Sequence, residues 1–125
     1  MSLPIATLFL SMMAYHNNLK LYHFQTQRYG AHKAADQLYT QLVGLIDQFF
    51  EVYQGKYKKI PSLQGSISIT THNDKDFVTY TKKCIVLLEH ATRKCCKVRQ
   101  NSELCNILDE IRAAMAQFIY LLMFK

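Results

Sequence analysis

Four long stretches of this chain repeat their apolar residues at three- and four-residue steps, and that period restricts it to helices. Segment A, about Pro4 to Gln25, carries Leu8, Met12, Tyr15, Leu19, Tyr22 and His23 on adjoining turns. Segment B, about Ala31 to Gln54, repeats the pattern with Leu38, Leu42, Leu45, Phe49 and Val52. Segment C starts near Asn73/Asp74 and runs through Phe77, Tyr80, Cys84, Leu87, Leu88 and Ala91 to about Arg99. Segment D follows Asn101 and Ser102, which offer caps, and continues through Leu108, Ile111, Met115, Phe118 and Leu122. Glu103 suits its positive first turn. With 4 Gly and 2 Pro the chain is too poor in turn residues for a β-sandwich of its size.

Each segment is about 20–26 residues, or roughly 30–39 Å of helix. The breaks after A and C are short and imply antiparallel neighbours. Gly55 marks the expected end of B, followed by Lys56, Lys58, Lys59 and Pro61. Residues 56–72 form the one long connection. Gly65 to Thr70 alternates apolar and polar, but with no second strand to pair with it reads as extended loop. The expectation is a single all-α domain over 1–125, a four-helix bundle whose long connection crosses between helices B and C.

The first fifteen residues are apolar without the basic region or cleavage pattern of a signal peptide, so they read as an amphipathic helix. No run reaches the ~18 apolar residues of a membrane span, so no membrane partner is expected. On that basis the compartment is expected to be intracellular, and Cys84, Cys95, Cys96 and Cys105 are expected to be reduced, partly buried thiols. No C-x-x-C zinc spacing occurs among them.

Segment B holds three acids, Asp36, Asp47 and Glu51, and with His32 they read H-x3-D-x10-D-x3-E. Each pair, 32/36 and 47/51, is one turn apart, and all four positions fall within about 100° of the helix circumference. Imidazole and carboxylate gathered on one flank suit Fe, Mn or Zn. The midpoints of the two pairs are about 22 Å apart along the helix, whereas ligand bonds run about 2.0–2.2 Å. One chain therefore cannot close both pairs on one ion. An antiparallel two-fold centred near Gln41/Leu42 would bring His32/Asp36 of one copy onto Asp47/Glu51 of the other, twice per dimer. The bland alternative is a solvated helix face. Such faces normally mix Lys with acids in i,i+4 pairs, and here Lys33 is the one nearby lysine.

In these features the chain resembles the Dps-type miniferritins of the ferritin-like superfamily over nearly its whole length. Leu21-Tyr22-His23-Phe24 is similar to the His-Trp element that ends the family's first helix. His32, Asp36, Asp47 and Glu51 match its second-helix spacing, and Glu51-Val-Tyr-Gln-Gly55 its acidic, glycine-rich helix end. Asn101 to Leu104, through Tyr120-Leu121, resembles the start and aromatic tail of its last helix. The resemblance implies a ferroxidase site between subunits. His23, His32 and Asp36 would form one half, and Asp47 and Glu51 of the mate the other. It further implies oxidation of Fe(II) by peroxide or oxygen, and ferric iron storage in a shell of about twelve subunits. The expected location is cytoplasmic or nucleoid-associated. A compact branch, viral or phage-encoded, would suit the short chain. The E-x-x-H pair of in-bundle ferritin centres is missing, which favours the intersubunit site.

The competing expectation is a non-enzymatic helical shell or DNA-binding protein of the same fold. With 15 Lys+Arg against 9 Asp+Glu the formal charge is +6, which permits a polyanion partner without requiring one. Its candidates are Lys56, Lys58, Lys59, Lys94, Lys97 and Arg99, with Lys82, Lys83 and Arg93 nearby. No recognition-helix or zinc-finger pattern appears, so any DNA binding would be to the phosphate backbone. His16, two turns before His23, reads as a core or interface histidine, and His72 and His90 as surface ones. The tyrosines near the site (Tyr15, Tyr22, Tyr29 and Tyr39) read as packing. No nucleophile triad or phosphate loop is recognisable.

Overall fold

A computed structural model describes residues 5–124 of the chain. Four α-helices and one short 3-10 turn account for its regular structure: α1 Ile5–Gln25, α2 Tyr29–Tyr57, α3 Asp74–Cys96, the turn Arg99–Asn101, and α4 Ser102–Leu122. No strand forms among the described residues, and Gly65 to Thr70 is extended loop. Pro4, the expected start of segment A, lies outside the described residues.

The apolar stripes explain the packing. Leu8, Met12, Tyr15, Leu19 and Tyr22 of α1 are buried together with Leu38, Leu42, Ile46 and Phe49 of α2. Phe77 and Leu88 of α3 join them, as do Leu104, Leu108, Ile111, Met115 and Phe118 of α4. Helix α2 packs on α1 and α4, and α3 packs on α4 and, more loosely, on α1. The pairs α1/α4 and α2/α3 are thus diagonal.

Contacts at the two ends set the directions. At one end Asp74, the first residue of α3, accepts hydrogen bonds from Tyr22 (2.6 Å), Thr26 (3.0 Å) and Arg28 (3.3 Å). Arg28 also donates to the Leu122 and Phe124 carbonyls at the end of α4. At the other end the last turn of α2 meets the α3–α4 corner. Lys56 pairs with Glu103 (2.7 Å) and reaches the Gln100 carbonyl, and Tyr57 donates to Asn101 Oδ1. Helices α2 and α3 therefore run parallel, and residues 58–73 must travel back along the whole bundle. Helix α2 has 29 residues, roughly 43 Å. A strap of about sixteen residues covers that only if nearly extended. Asn18 pins it about two-thirds of the way along, donating to the Ser68 carbonyl (2.9 Å) and accepting from the Thr70 N–H (2.9 Å). Gly65 passes so close to α1 that a Cβ there would lie 3.1 Å from Leu10.

Several local expectations need correction. Helix α2 does not stop at Gly55; it runs on to Tyr57 and ends at Lys58, whose φ is 73° and whose N–H bonds the Gln54 carbonyl. The anchoring of Lys56 and Tyr57 on the α3–α4 corner holds that extra turn in place. Asn101 does not cap α4 with its side chain; it donates instead to the Cys95 carbonyl and accepts from Tyr57. Asn73 does cap α3, accepting from the Asp76 N–H. The four cysteines are not all free thiols: Cys96 and Cys105 form a disulfide across the α3–α4 corner, with Cα atoms 6.0 Å apart. The antiparallel turn brings them together, which spacing along the chain does not reveal. Cys84 and Cys95 remain free and buried, and burial pushes the Cys84 thiol up to about 12. His72 is not a surface histidine; its ring stacks on Tyr80, and its Nδ1 is buried without a partner.

Partial burial works against the Asp74 carboxylate. The hydrogen bonds from Tyr22, Thr26 and Arg28 outweigh it and hold the group below its ordinary value. The stabilisation is therefore present above the unfolded value near 3.8 and is lost as pH falls through the folded one. Asp74→Asn is expected to lower stability by roughly 1–3 kcal/mol at neutral pH. The deficit should shrink below about pH 4, measured by urea denaturation at both pH values. A deficit of equal size at both would show that the charge of Asp74 contributes nothing.

Candidate functional site

The α1–α2 pair holds the candidate ligands. Two short helix ends joined by Thr26–Arg28 place the last turn of α1 against the first turn of α2, so His23 and His32 face one another. Their rings stack with centroids 4.0 Å apart. Each ring also bonds the other residue's backbone: His23 Nδ1 to the His32 carbonyl (3.1 Å) and His32 Nδ1 to the His23 carbonyl (2.8 Å). A carbonyl oxygen only accepts, so both Nδ1 atoms must carry the proton. Among the described residues no hydrogen bond engages either Nε2, and in a neutral ring that nitrogen carries the free lone pair. Metal-ligating histidines are prepared in this way, with one nitrogen fixed by a carbonyl so that the other can coordinate. His23 is only 8% exposed and His32 somewhat more, so ring orientation is held by packing as well.

Further along the same seam, in the same antiparallel register, His16 of α1 stacks on Tyr39 of α2 at 4.0 Å. Its Nε2 is buried without a partner, and burial lowers its pKa. Between these two stacks the Lys20 ammonium lies over the Tyr39 ring (4.5 Å) and the Phe24 ring (5.2 Å). Tyr39 is expected from the sequence as aromatic packing, whereas Lys20 is not singled out there. The i,i+4 spacing of His16, Lys20 and Phe24 was the available signal, but their partners on α2 appear only once the register of the helix pair is known.

Asp36, Asp47 and Glu51 are all exposed on α2, and none joins an ion pair among the described residues. Tyr29, 75% exposed, and Val43, 40% exposed, fall on the same flank by helical angle. A flank of unpaired carboxylates interrupted by exposed apolar groups differs from an ordinary solvated face. The structure brings His23 and His32 together. It does not gather Asp36, Asp47 and Glu51 with them: among the described residues no group of three or more His, Cys, Asp or Glu is placed to hold a metal ion. A single chain thus supplies two stacked imidazoles at the α1–α2 corner, and carboxylates spread along one helix.

The basic candidates gather elsewhere. Lys56 lies in the last turn of α2 and Lys58 and Lys59 follow it, and Lys94, Lys97 and Arg99 surround the α3–α4 corner, so the contacts of Lys56 and Tyr57 bring both sets to one end of the bundle. All six residues are exposed, although Lys56 is engaged with Glu103.

A family of unknown function, DUF5856, matches residues 23–122. The chain belongs to this family. The DUF5856 match begins at His23 and takes in both paired imidazoles, the three α2 acids, the strap and all of α4. No curated protein and no solved structure matches the chain. No helix among the described residues is long and apolar enough to cross a membrane.

Proposed function

We propose that this DUF5856 protein is an iron-handling protein of the ferritin-like, Dps-type kind. Fe(II) is its substrate, bound between two copies of the chain and oxidised there by peroxide or oxygen. The observation that carries the reading is the reciprocal clamp of His23 and His32, which engages both Nδ1 atoms and leaves each Nε2 without a hydrogen bond. Asp36 lies one turn from His32, and the mate's Asp47 and Glu51 complete the site across the two-fold. The carboxylates bind Fe(II) and neutralise the ferric product, while the neutral imidazoles tune its affinity. A four-helix bundle with one long crossover also supports the ferritin-like assignment. Storage in an oligomeric shell belongs to the same proposal.

The test is solution mass by size exclusion with light scattering, before and after Fe(II) titration, followed by metal analysis. A dimer or larger assembly that takes up iron at about two sites per dimer is expected. A monomer that retains no iron would overturn the proposal.

The cluster of cations at the α3–α4 end favours a second reading, a polyanion-binding shell protein without ferroxidase activity. Binding would then be to phosphate backbones, and affinity for duplex DNA should fall about 10³-fold or more between 50 and 200 mM salt. A gel shift insensitive to salt would exclude it.

A further inference from the structure

The loosest seam of the bundle lies between the first turns of α1 and the second half of α3. It leaves a groove of about 330 Å³ at the first turns of α1, whereas His23 lies in the last turn of that helix. Its floor is apolar: Leu8 and Ala91 are buried, Leu87 is half-buried, and Val86 is 51% exposed along one wall. Among the described residues the polar groups around it are Thr7 and three basic side chains, Lys83, His90 and Lys94, and no acid lines it. These α3 positions recur at three- and four-residue steps, so Lys83 and Lys94 bracket a slot about 16 Å long.

The charges in that slot are uncompensated. Among the described residues neither Lys83 nor Lys94 is paired with a carboxylate, and neither is Arg93. Arg93 instead approaches His90, with its Nη2 3.0 Å from the imidazole Nδ1. A guanidinium only donates, so His90 Nδ1 accepts and the ring proton sits on Nε2. His90 Nε2–H is therefore a hydrogen-bond donor one turn from the Lys94 ammonium, with the Arg93 charge behind it. A narrow apolar slot with donors and cations concentrated at one end complements one kind of small molecule. Its head is anionic and its single tail is apolar.

We propose that this groove binds a free medium-chain carboxylate, with the carboxylate at His90/Lys94 and the alkyl chain lying over Ala91, Leu87 and Leu8 toward Lys83. The Lys83 stem covers the tail and its ammonium remains in water. Lys94 is thus the head-group residue, and Lys83 serves mainly as packing.

Isothermal titration of the full-length protein with octanoate and decanoate below their micellar concentrations tests this. One-to-one binding is expected, tightening about fourfold per added methylene. Decanol, which has the same tail without the charge, should bind about 10-fold more weakly or worse. Lys94→Gln should weaken decanoate by about 10-fold and Lys83→Gln by less than about threefold. Val86→Glu, at an exposed position that leaves the core untouched, should abolish binding while the circular dichroism spectrum is unchanged. Equal affinity for decanol and decanoate would overturn the proposal, as would an unaffected Lys94→Gln. Binding to phosphatidylglycerol vesicles without binding to free decanoate would do so too, by assigning the groove to a membrane surface.

Discussion

Replacing Asp36 and Glu51 together by Ala is expected to slow Fe(II) oxidation about 100-fold or more, to the rate of iron in buffer, while the assembly mass stays the same. Both carboxylates are exposed, and among the described residues neither joins an ion pair, so their removal costs the fold little. Unchanged kinetics in that variant would exclude the proposed site. A stronger form of the experiment uses the two-fold. His32→Ala/Asp36→Ala chains and Asp47→Ala/Glu51→Ala chains should each be inactive alone. Co-expressed, they form mixed dimers in which one site carries every lesion and the other carries none. With random pairing, about one quarter of wild-type activity should return. No recovery in mixed dimers of demonstrated composition would show that the two half-sites do not meet across chains.

The second large effect is expected in the core. Phe77→Ala should destabilise the protein by about 3–5 kcal/mol. Phe77 is fully buried, and its ring is the hub of an aromatic cluster. It stacks on Tyr22 at 4.4 Å and meets Tyr15 at 5.7 Å, Phe118 at 5.9 Å and His72 at 5.6 Å. Those four rings come from α1, α4 and the strap, so the cavity would open at the junction of three elements. Domains of this size have roughly 5–15 kcal/mol in total, so the variant would sit near its unfolding threshold. Its melting temperature should drop by roughly 10–20 °C in far-UV circular dichroism. Phe24→Ala, at a ring 69% exposed, is the control and should shift the curve by less than about 0.5 kcal/mol. Comparable losses in both variants would refute the assignment of Phe77 as the hub.

The helical pattern was readable because the apolar residues themselves carry the period. Leu8, Met12, Tyr15, Leu19 and Tyr22 are the buried face of α1, and Leu104, Leu108, Ile111, Met115 and Phe118 that of α4. Helix ends were harder to read, since tertiary partners decide them. Gly55 looks like a terminator, yet Lys56 and Tyr57 find Glu103 and Asn101 and carry the helix onward. The disulfide was hidden for the same reason, because Cys96 and Cys105 become neighbours only when α3 and α4 fold back on each other.

At the candidate site the residue types proposed as ligands and their helical spacing were visible in His32, Asp36, Asp47 and Glu51. The bonds from each imidazole to the other residue's carbonyl were not, because they depend on the α1–α2 register to within one residue. The same register places His16 on Tyr39 and Lys20 between the two stacks.

The strap from Lys58 to Asn73 makes the chain two helical hairpins on a single tether. Because α2 and α3 are parallel, each hairpin closes through its own short turn, and the strap only limits how far apart they can drift. Loop-closure entropy grows slowly, about 0.6 kcal/mol for each doubling of length. Asn18 grips the strap from Ser68 onward, while Pro61, Ser62 and Gln64 before it stay exposed. That early part is where inserted residues would be tolerated with little loss of stability. New sequence could enter there without disturbing the flank of α2, so the fold can acquire an added module while the faces of its four helices stay unchanged.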